Sequence, residues 1–535
     1  MVGNRARMAL IGAVAAAAIG GRAGAAPPLA AGRAPDCAAL ARLALADADT
    51  RIVSAVRVPA AAAGTVKPTA SEPFVGVPLP AHCRVSGVLD ERTGADGKRY
   101  GIRFAVALPD DWNGRFLMQG GGGLNGTLNP PLGAQATGAV PALARGFAVA
   151  STDGGHQGAV FDAGFQADQQ ATLDFAQGAI GRFVPVAKRI VAAAYGRAPD
   201  HSYMVGCSTG GREGMLASER FPTYFDGIVV GAPAMRTGFS NIGLAHAAVA
   251  FNQAAPRDGQ GQPIVDRIFA AADRVTILNG LLAACDGLDG AKDGWIGNPA
   301  ACRFRPATLT CAEGKSGNCL TPEQTAALEA AFQPPKDASG RPVYAAFPYD
   351  TGIVAEGPGL PGFLPTGKPG PLGPPNRALT LDVDKAAEGV RANGMQRLVD
   401  TDAWTNLSTF TGGGGRILYY HGVSDPWFSA WDTLDYWQRA AAANGGAAKW
   451  DGVSRLYLIP GMGHCRGGAE TFDRFDLLGP LVEWVEHGVA PAAVPATRQR
   501  DTQSRPLCPF PSFPQKAAEG DATATAGFAC AMPRP

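Results

Sequence analysis

The sequence lacks an excess of charge of either sign. Lys and Arg number 47 against 46 Asp and Glu, and charged residues make up only 17% of the chain. So neutral a balance provides no basic surface for nucleic acid or an anionic membrane, and neither is expected as a main partner. After the N-terminus, no segment is long and apolar enough to cross a bilayer. Hydrophobic residues still amount to 46%, which allows a substantial core.

The cysteines lack the spacing of a structural zinc site, because no two form a C-x2-C pair. The chain has ten cysteines, an even number, and all follow the N-terminal apolar stretch. In an exported protein, ten cysteines are expected to form five disulfides.

The N-terminus is organised like a secretion signal. Arg5 and Arg7 precede a short apolar stretch, Met8 to Ile19, and positions 23–25 hold small residues suited to cleavage. That stretch is too short to span a bilayer comfortably, so a retained membrane anchor is the less favoured alternative. Residues 1–25 are predicted to be a signal, and the mature chain to be periplasmic or extracellular.

Strand and helix patterns alternate over residues 35–234 and resume over residues 404–535. This alternation predicts an α/β fold, in which a parallel sheet carries helices on both faces and chemistry gathers at the carboxyl ends of the strands. Residues 235–403 show little periodicity, and residues 357–375 are dominated by proline and glycine. They are predicted to form an inserted lid domain over that edge of the sheet.

Ser208 lies in the run G-C-S-T-G at positions 206–210, which has the form G-x-S-x-G. Residues 202–205 predict a strand before it, and Gly211 to Phe221 predict a helix after it. A serine in this position is typical of the nucleophile elbow of α/β-hydrolases. With 71 glycines in the chain, a serine in an ordinary glycine-rich turn is the alternative.

An acyl-transfer serine needs a histidine base and an acid that orients it. In α/β-hydrolases both follow the serine, the acid first, and His421, His464 and His487 remain once the earlier histidines and one in the insertion are set aside. His464 is the predicted base because it lies in a glycine-rich loop after a strand, whereas His487 closes a helix, where a structural role is favoured. Asp425 follows the strand Ile417–Tyr420 and is the predicted acid; an Asp-Pro turn is its alternative.

Two cysteines adjoin these residues: Cys207 precedes Ser208, and Cys465 follows His464. If serine and histidine are hydrogen-bonded, their neighbours must be close. A disulfide between these cysteines is therefore predicted to tie the nucleophile turn to the base loop, and each assignment predicts the other.

The tetrahedral intermediate of acyl transfer needs two backbone donors for its oxyanion. The amide of Thr209 is expected to be one, because this residue follows the nucleophile. The other is expected from the glycine-rich run 120–126, which follows a predicted strand. No G-K-[ST] follows that run, so a phosphate-binding role is not favoured.

Asp286, Asp289 and Asp293 are interleaved with glycines in one loop of the insertion. Such a loop can direct several oxygens, including the carbonyls of Ala291 and Trp295, at a hard cation such as Ca²⁺. The spacing is not that of an EF-hand, and a run of Asx turns is the alternative. A bound ion is expected to stiffen the lid and to take no part in chemistry.

Taken together, these motifs resemble the tannase and feruloyl esterase family from about Cys37 to Cys530. The resemblance rests on the Cys-Ser and His-Cys pairs, the intervening aspartate, the aspartate-rich loop and the number of cysteines. It implies an α/β-hydrolase fold with a large inserted lid domain, a triad of Ser208, Asp425 and His464, and hydrolysis of small-molecule esters of aromatic acids, such as feruloyl or galloyl esters.

The resemblance also implies further site residues. The oxyanion donors fall on Gly123 and Thr209, and an aromatic wall of the substrate site falls on Phe428. Structural Ca²⁺ is implied in the aspartate-rich loop, with the ligands Asp286, Asp289, Ala291, Asp293 and Trp295. The implied disulfides are Cys37–Cys83, Cys207–Cys465, Cys285–Cys302, Cys311–Cys319 and Cys508–Cys530.

Terephthalate monoesters are the alternative substrate within this family. Neither Lys368 nor Arg377 lies in a motif that matches an arginine gripping a free carboxylate, so phenolic esters are favoured. Two functions outside the esterases compete with this interpretation: a non-catalytic secreted calcium-binding or carbohydrate-binding protein, and a peptidase. Labelling by a fluorophosphonate probe separates the first from an enzyme, and activity on amides identifies the second. The sequence carries no signal of an oligomeric state.

Overall fold

A nine-stranded sheet carries the fold of the computed structural model, which describes residues 34–45, 49–70, 72–312, 317–357, 359–370, 373–468, 470–498, 500–501 and 503–534. The predicted signal, residues 1–25, lies outside the described residues. The spatial order of the strands is β1-β2-β3-β5-β4-β6-β7-β8-β9. Their bounds are β1 (Thr50–Val58), β2 (His82–Thr93), β3 (Arg99–Pro109), β4 (Arg115–Gln119), β5 (Ala148–Thr152), β6 (His201–Cys207), β7 (Gly227–Gly231), β8 (Arg416–Gly422) and β9 (Ser454–Ile459).

Six neighbouring strands pair in parallel, in the spatial order β5, β4, β6, β7, β8 and β9. Strands β1, β2 and β3 extend the sheet beyond β5 with antiparallel pairing. Strand β7 is buried along its whole length. A strand covered on both faces reads as a continuous apolar run, which is why Ile228–Val230 shows no alternation. The antiparallel extension β1–β3 was not predicted.

Helices cover both faces of the sheet, which confirms the predicted α/β-hydrolase fold. Helices α3, α4 and α11 pack on one face, and α13 packs on the other. The helices are α1 (Cys37–Leu40), α2 (Gln169–Leu173), α3 (Ala179–Tyr195), α4 (Thr209–Arg220), α5 (Thr237–Ala254), α6 (Ala271–Cys285), α7 (Pro322–Phe332), α8 (Val383–Ala392), α9 (Gly394–Val399), α10 (Ser408–Gly412), α11 (Ala430–Ala443), α12 (Ala447–Trp450) and α13 (Leu478–His487).

The insertion, residues 235–403, separates β7 from β8 and contains helices α5 to α9. Its core is built around Phe251, Ile277 and Leu328, on α5, α6 and α7. The weak periodicity of this region concealed its helices. Apolar residues surround much of α5 and α6, so neither shows the one-sided pattern that marks a surface helix.

The C-terminal region adds two small sheets. One contains β10 (Arg474–Phe475), β11 (Val494–Thr497) and β12 (Ser504–Leu507), and the other contains β13 (Phe513–Lys516) and β14 (Phe528–Ala531). Within the described ranges, no helix combines the length and the apolar character needed to cross a membrane.

Candidate active site

Ser208 occupies the sharp turn between β6 and α4. Its backbone has φ 63° and ψ −122°, a conformation that residues other than glycine rarely adopt. The neighbouring glycines leave space for this turn, since a Cβ on Gly206 would lie 2.4 Å from the carbonyl carbon of Gly210. A Cβ on Gly210 would lie 2.8 Å from the carbonyl oxygen of Gly121. The turn has the geometry of a nucleophile elbow.

Asp425 and His464 form a hydrogen-bonded pair at the carboxyl edge of the sheet. Asp425 follows β8, is buried, and accepts a hydrogen bond on Oδ2 from His464 Nδ1 at 2.7 Å. Its Oδ1 accepts from the amides of Trp427 and Phe428 at 2.9 and 3.1 Å. The carboxylate therefore orients the imidazole while the backbone of its own loop holds the carboxylate.

The second ring nitrogen of His464, Nε2, is buried and has no hydrogen-bond partner among the described residues. His464 and Ser208 border the same cavity. In enzymes without substrate, the hydrogen bond between nucleophile and base is often open and closes in the Michaelis complex. The imidazole is thus anchored at one nitrogen and has the other left for proton exchange.

Charge on Asp425 is stabilised by two histidines. Burial alone would raise the pKa of Asp425, but its interactions with His464 and His421 lower that pKa well below its ordinary value. His421 lies fully buried behind the acid, with Nε2 3.2 Å from Asp425 Oδ2 and Nδ1 2.8 Å from the Thr433 hydroxyl. His487 is exposed at the end of α13. Of these three histidines, His464 is the one that borders the cavity.

A disulfide joins Cys207, beside the nucleophile, to Cys465, beside the base, with Cα atoms 5.9 Å apart. The pairing expected from the two adjacent dipeptides is therefore present. The structure also contains the four other pairs that the family resemblance implies: Cys37–Cys83, Cys285–Cys302, Cys311–Cys319 and Cys508–Cys530.

The glycine-rich loop after β4 lies directly against the elbow. The Gly210 amide donates to the Gly121 carbonyl at 3.1 Å, and the Thr209 hydroxyl donates to the Gly123 carbonyl. The amides of Gly123 and Thr209 donate to no acceptor in the described part of the chain, and both residues border the cavity beside Ser208. These two N–H groups are available to an oxyanion.

Glu213, on α4, fixes this loop from the protein interior. One of its carboxylate oxygens accepts from the Gly121 amide at 2.9 Å, and the other accepts from Asn125 Nδ2 at 3.0 Å. Glu213 and Asn125 are each only 2% exposed. Hydrogen bonds to a buried charge are about twice as strong as neutral ones. Glu213 was not predicted from the sequence. It stands beside Arg212 in a helix that also holds Glu219 and Arg220, so nothing local indicates its contact with the glycine-rich loop.

Replacing Glu213 by alanine is expected to lower kcat about 10²-fold with little change in KM, because the Gly123 amide would lose its fixed position. Initial rates on p-nitrophenyl acetate measure this effect. Glu219→Ala is the matched control, since Glu219 is a buried carboxylate of the same helix. An equal loss of kcat in both variants would contradict a positioning role for Glu213.

Aromatic rings surround the base in a cavity of about 1760 Å³. The ring centroids of Trp427 and Phe428 lie 4.9 and 5.4 Å from that of His464. Phe161 packs edge-on against Trp427 at 6.2 Å. Such rings suit a flat, apolar group beside the reacting centre. Phe428, which the family resemblance implies as an aromatic wall of the substrate site, lies in the cavity beside His464. Trp427 and Phe161 were not predicted.

Charge is distributed unevenly around the cavity. Within the described lining, the insertion contributes apolar, hydroxyl and amide residues but no charged side chain. Lys368 is paired with Glu356 at 2.6 Å, and neither Lys368 nor Arg377 borders this cavity. Besides His464, the titratable and charged residues of the lining are Glu72, Tyr420, Cys207, Cys465, Arg466, Asp473 and Arg474, with the two cysteines joined in the disulfide.

The family model for tannase and feruloyl esterase matches residues 83–362 and 375–531. The chain belongs to the tannase and feruloyl esterase family. It is 38% identical over 523 residues to mono(2-hydroxyethyl) terephthalate hydrolase of Piscinibacter sakaiensis, with 85% of each chain covered. It is 30% identical over 434 residues to probable feruloyl esterase B-2 of Aspergillus flavus, with 75% of this chain and 78% of that one covered.

Among solved structures, feruloyl esterase B from Aspergillus oryzae matches with a TM-score of 0.73 and 25% identity, covering 92% of this chain and 98% of that one. Members of the tannase and feruloyl esterase family are carboxylic ester hydrolases, and the chain is an enzyme of that class.

The aspartate-rich loop contacts the C-terminal strands and the loop that holds His464. Gln515 Nε2, on β13, donates to the Asp289 carbonyl at 2.6 Å. Trp295 Nε1 donates to the carbonyl of Pro460, in the loop that carries the base, at 3.2 Å. The loop thus connects the insertion to the C-terminal strands and to the base loop.

The same loop has features of a cation site. Asp289 Oδ2 is buried without a hydrogen-bond partner among the described residues. Burial, together with Asp293 and Asp286, raises the pKa of Asp289 to about 7. Against this, Arg505 is ion-paired with Asp293, and no three acidic, histidine or cysteine side chains of the described residues converge closely enough to hold a metal ion. The fit to a cation therefore rests on Asp289.

Proposed function

We propose that the chain is a serine esterase that forms an acyl-enzyme. The observation that carries this proposal is the buried Asp425–His464 pair, whose free Nε2 shares a cavity with Ser208. Ser208 Oγ attacks the ester carbonyl carbon, and His464 Nε2 takes its proton. The amides of Gly123 and Thr209 stabilise the oxyanion.

Collapse of the tetrahedral intermediate breaks the bond between the carbonyl carbon and the alcohol oxygen. His464 gives its proton to that oxygen, and the alcohol leaves. Water then attacks the carbonyl carbon of acyl-Ser208, and His464 takes a proton from that water. Collapse of the second tetrahedral intermediate breaks the bond between this carbon and Ser208 Oγ, returns the proton to Oγ and releases the acid. Asp425 stabilises the imidazolium throughout and keeps its own charge.

We propose esters of uncharged aromatic acids, of the feruloyl or galloyl type, as the substrates. Trp427 and Phe428 provide the aromatic surface, and the insertion adds no charge to the described lining of the cavity. Terephthalate monoesters are the second candidate, favoured by the 38% identity to a hydrolase of one such ester. Their free carboxylate would need a cation. Of the two arginines in the described lining, Arg466 is already paired with Glu72, which leaves Arg474 as the candidate cation.

Monomethyl and dimethyl terephthalate separate the two candidates, because the second carboxyl is a free carboxylate in the monoester and an uncharged methyl ester in the diester. We expect kcat/KM to be at least about tenfold higher for the diester, and methyl ferulate and methyl gallate to be hydrolysed well. Faster turnover of the monoester would overturn the preference for uncharged acids. The matching anilides are expected to show no turnover, which distinguishes an esterase from a peptidase.

We propose that the aspartate-rich loop binds structural Ca²⁺ through the carboxylates of Asp286, Asp289 and Asp293 and the carbonyls of Ala291 and Trp295. The unpartnered, buried Oδ2 of Asp289 supports this proposal. The ion would stabilise the loop that holds the insertion against the catalytic region, and it would supply no chemistry to the ester.

Removal of calcium by EDTA is expected to lower the unfolding midpoint by about 5 °C, because a ligand that binds only the folded state stabilises it. Differential scanning fluorimetry measures the shift. Asp289→Asn is expected to abolish the response to EDTA while leaving kcat at 25 °C within about twofold. An unchanged midpoint in the original protein after EDTA treatment would contradict the proposal.

We further propose that the mature enzyme is exported to the periplasm or beyond the cell. The five disulfides are compatible with an oxidising compartment and would not persist in a reducing cytosol.

A further inference from the structure

Asp350, which belongs to the insertion, contacts both loops of the proposed triad. Its Oδ2 accepts a hydrogen bond from the Ser424 hydroxyl at 2.7 Å and another from the Gly461 amide at 2.6 Å. Ser424 directly precedes Asp425, and Gly461 lies near the start of the loop that carries His464. One carboxylate oxygen therefore joins the acid loop to the base loop.

The chain that follows this aspartate encloses the acid loop. The Gly352 amide donates to the Ser424 hydroxyl at 3.0 Å, so that hydroxyl is held both as a donor and as an acceptor. A Cβ on Gly352 would lie 2.4 Å from Ser424 Cβ, and one on Gly362 would lie 2.7 Å from Pro426 Cα. The backbone of the insertion thus touches the residues immediately before and after the proposed acid, at distances that only glycine permits.

Asp350 is 1% exposed. Burying a carboxylate costs several kcal/mol, and its hydrogen bonds offset this cost only in part. These hydrogen bonds place the Ser424 hydroxyl and the Gly461 amide precisely, because charge-assisted hydrogen bonds are short and directional. The groups placed in this way belong to the two loops whose relative position determines the 2.7 Å contact between Asp425 and His464.

We propose that Asp350 is a positioning residue of the esterase: by bonding Ser424 and Gly461, it sets the position of the acid relative to the base. The inference rests on the proposed triad. It gives the insertion a second role besides lining the cavity, since the geometry of the triad then depends on a residue outside the catalytic sheet.

Two substitutions at this position test the role. Asp350→Asn keeps an oxygen that accepts both hydrogen bonds, whereas Asp350→Ala removes the acceptor. We expect kcat to fall about 10²-fold in the alanine variant with KM within about twofold, and to stay within about threefold in the asparagine variant. Phosphonylation of Ser208 by a small fluorophosphonate should slow in parallel with kcat, because it needs the base but little of the cavity.

Asp273→Ala is the matched control for stability. Asp273 is a buried carboxylate of the same insertion and accepts hydrogen bonds from the Ala270 amide and the Gln324 side chain. It should lower the unfolding midpoint and leave kcat nearly unchanged. Ser424→Ala, which removes one of the two bonds to Asp350, should give an intermediate loss of about tenfold and provides a milder variant should Asp350→Ala fail to fold.

The proposal is overturned if Asp350→Ala or Ser424→Ala folds and keeps kcat within about threefold, or if Asp273→Ala loses as much kcat as Asp350→Ala. Failure of the proposed triad itself is recognised separately. In that case Ser208→Ala would stay active, whatever the behaviour of the Asp350 variants.

Discussion

Ser208→Ala is expected to lower ester hydrolysis by about 10⁴-fold or more, because it removes the proposed nucleophile. The side chains of serine and alanine tolerate φ 63° about equally, so the elbow should keep its shape. Hydrolysis of p-nitrophenyl acetate measures the loss, and circular dichroism confirms that the variant is folded.

Ser218→Ala provides the matched control. Ser218 is a buried serine on the same helix, and its hydroxyl donates only locally, to the Met215 carbonyl at 2.8 Å. It should retain nearly full activity. Activity of the Ser208 variant above about 1% of the original would remove this residue from the mechanism.

The double substitution Cys207→Ala and Cys465→Ala is expected to have the second largest effect. The disulfide closes a sequence separation of 258 residues, and loss of so long a cross-link costs about 3–5 kcal/mol in the free energy of unfolding. We also expect kcat to fall about 10²-fold, because the nucleophile turn and the base loop would no longer be covalently held together. Thermal unfolding and initial rates below the unfolding midpoint measure the two effects.

Removing the Cys311–Cys319 bond in the same way is the control. It lies in the insertion and closes a separation of only 8 residues, so its loss should cost only about 2 kcal/mol in the free energy of unfolding and leave kcat nearly unchanged. If the variant without the Cys207–Cys465 bond is folded and fully active, that disulfide has no part in positioning the triad.

The central strands and the elbow were predictable because their signals are local. Strands β7 and β8 are short apolar runs that end at turns, and the elbow has a motif of five residues. Strands β1–β3 lie within the range 35–234, for which alternating strands and helices were predicted, but they follow one another without an intervening helix, so that part of the prediction was wrong. The helices of the insertion were missed because burial on several sides removes the periodicity on which the prediction depends.

The same distinction holds for the site. Cys207 and Cys465 mark Ser208 and His464 because they stand beside them in the chain. Glu213 could not be found in this way, since its contact with Gly121 joins residues 92 positions apart. Asp350 and Gly461, which are also in contact, lie 111 positions apart, and no motif beside either residue indicates that contact. Only the folded chain brings such partners together.

The enclosure of the acid loop by the insertion has a consequence for engineering. Exchange of the insertion between relatives is an obvious route to new substrate ranges, with crossovers placed in the chain after β7 and before β8. The glycines at 352 and 362 make a close steric match with residues 424 and 426, which lie beyond the second crossover. A productive chimera should therefore take segments 350–364 and 424–426 from the same donor, so that the two contacting surfaces still fit each other.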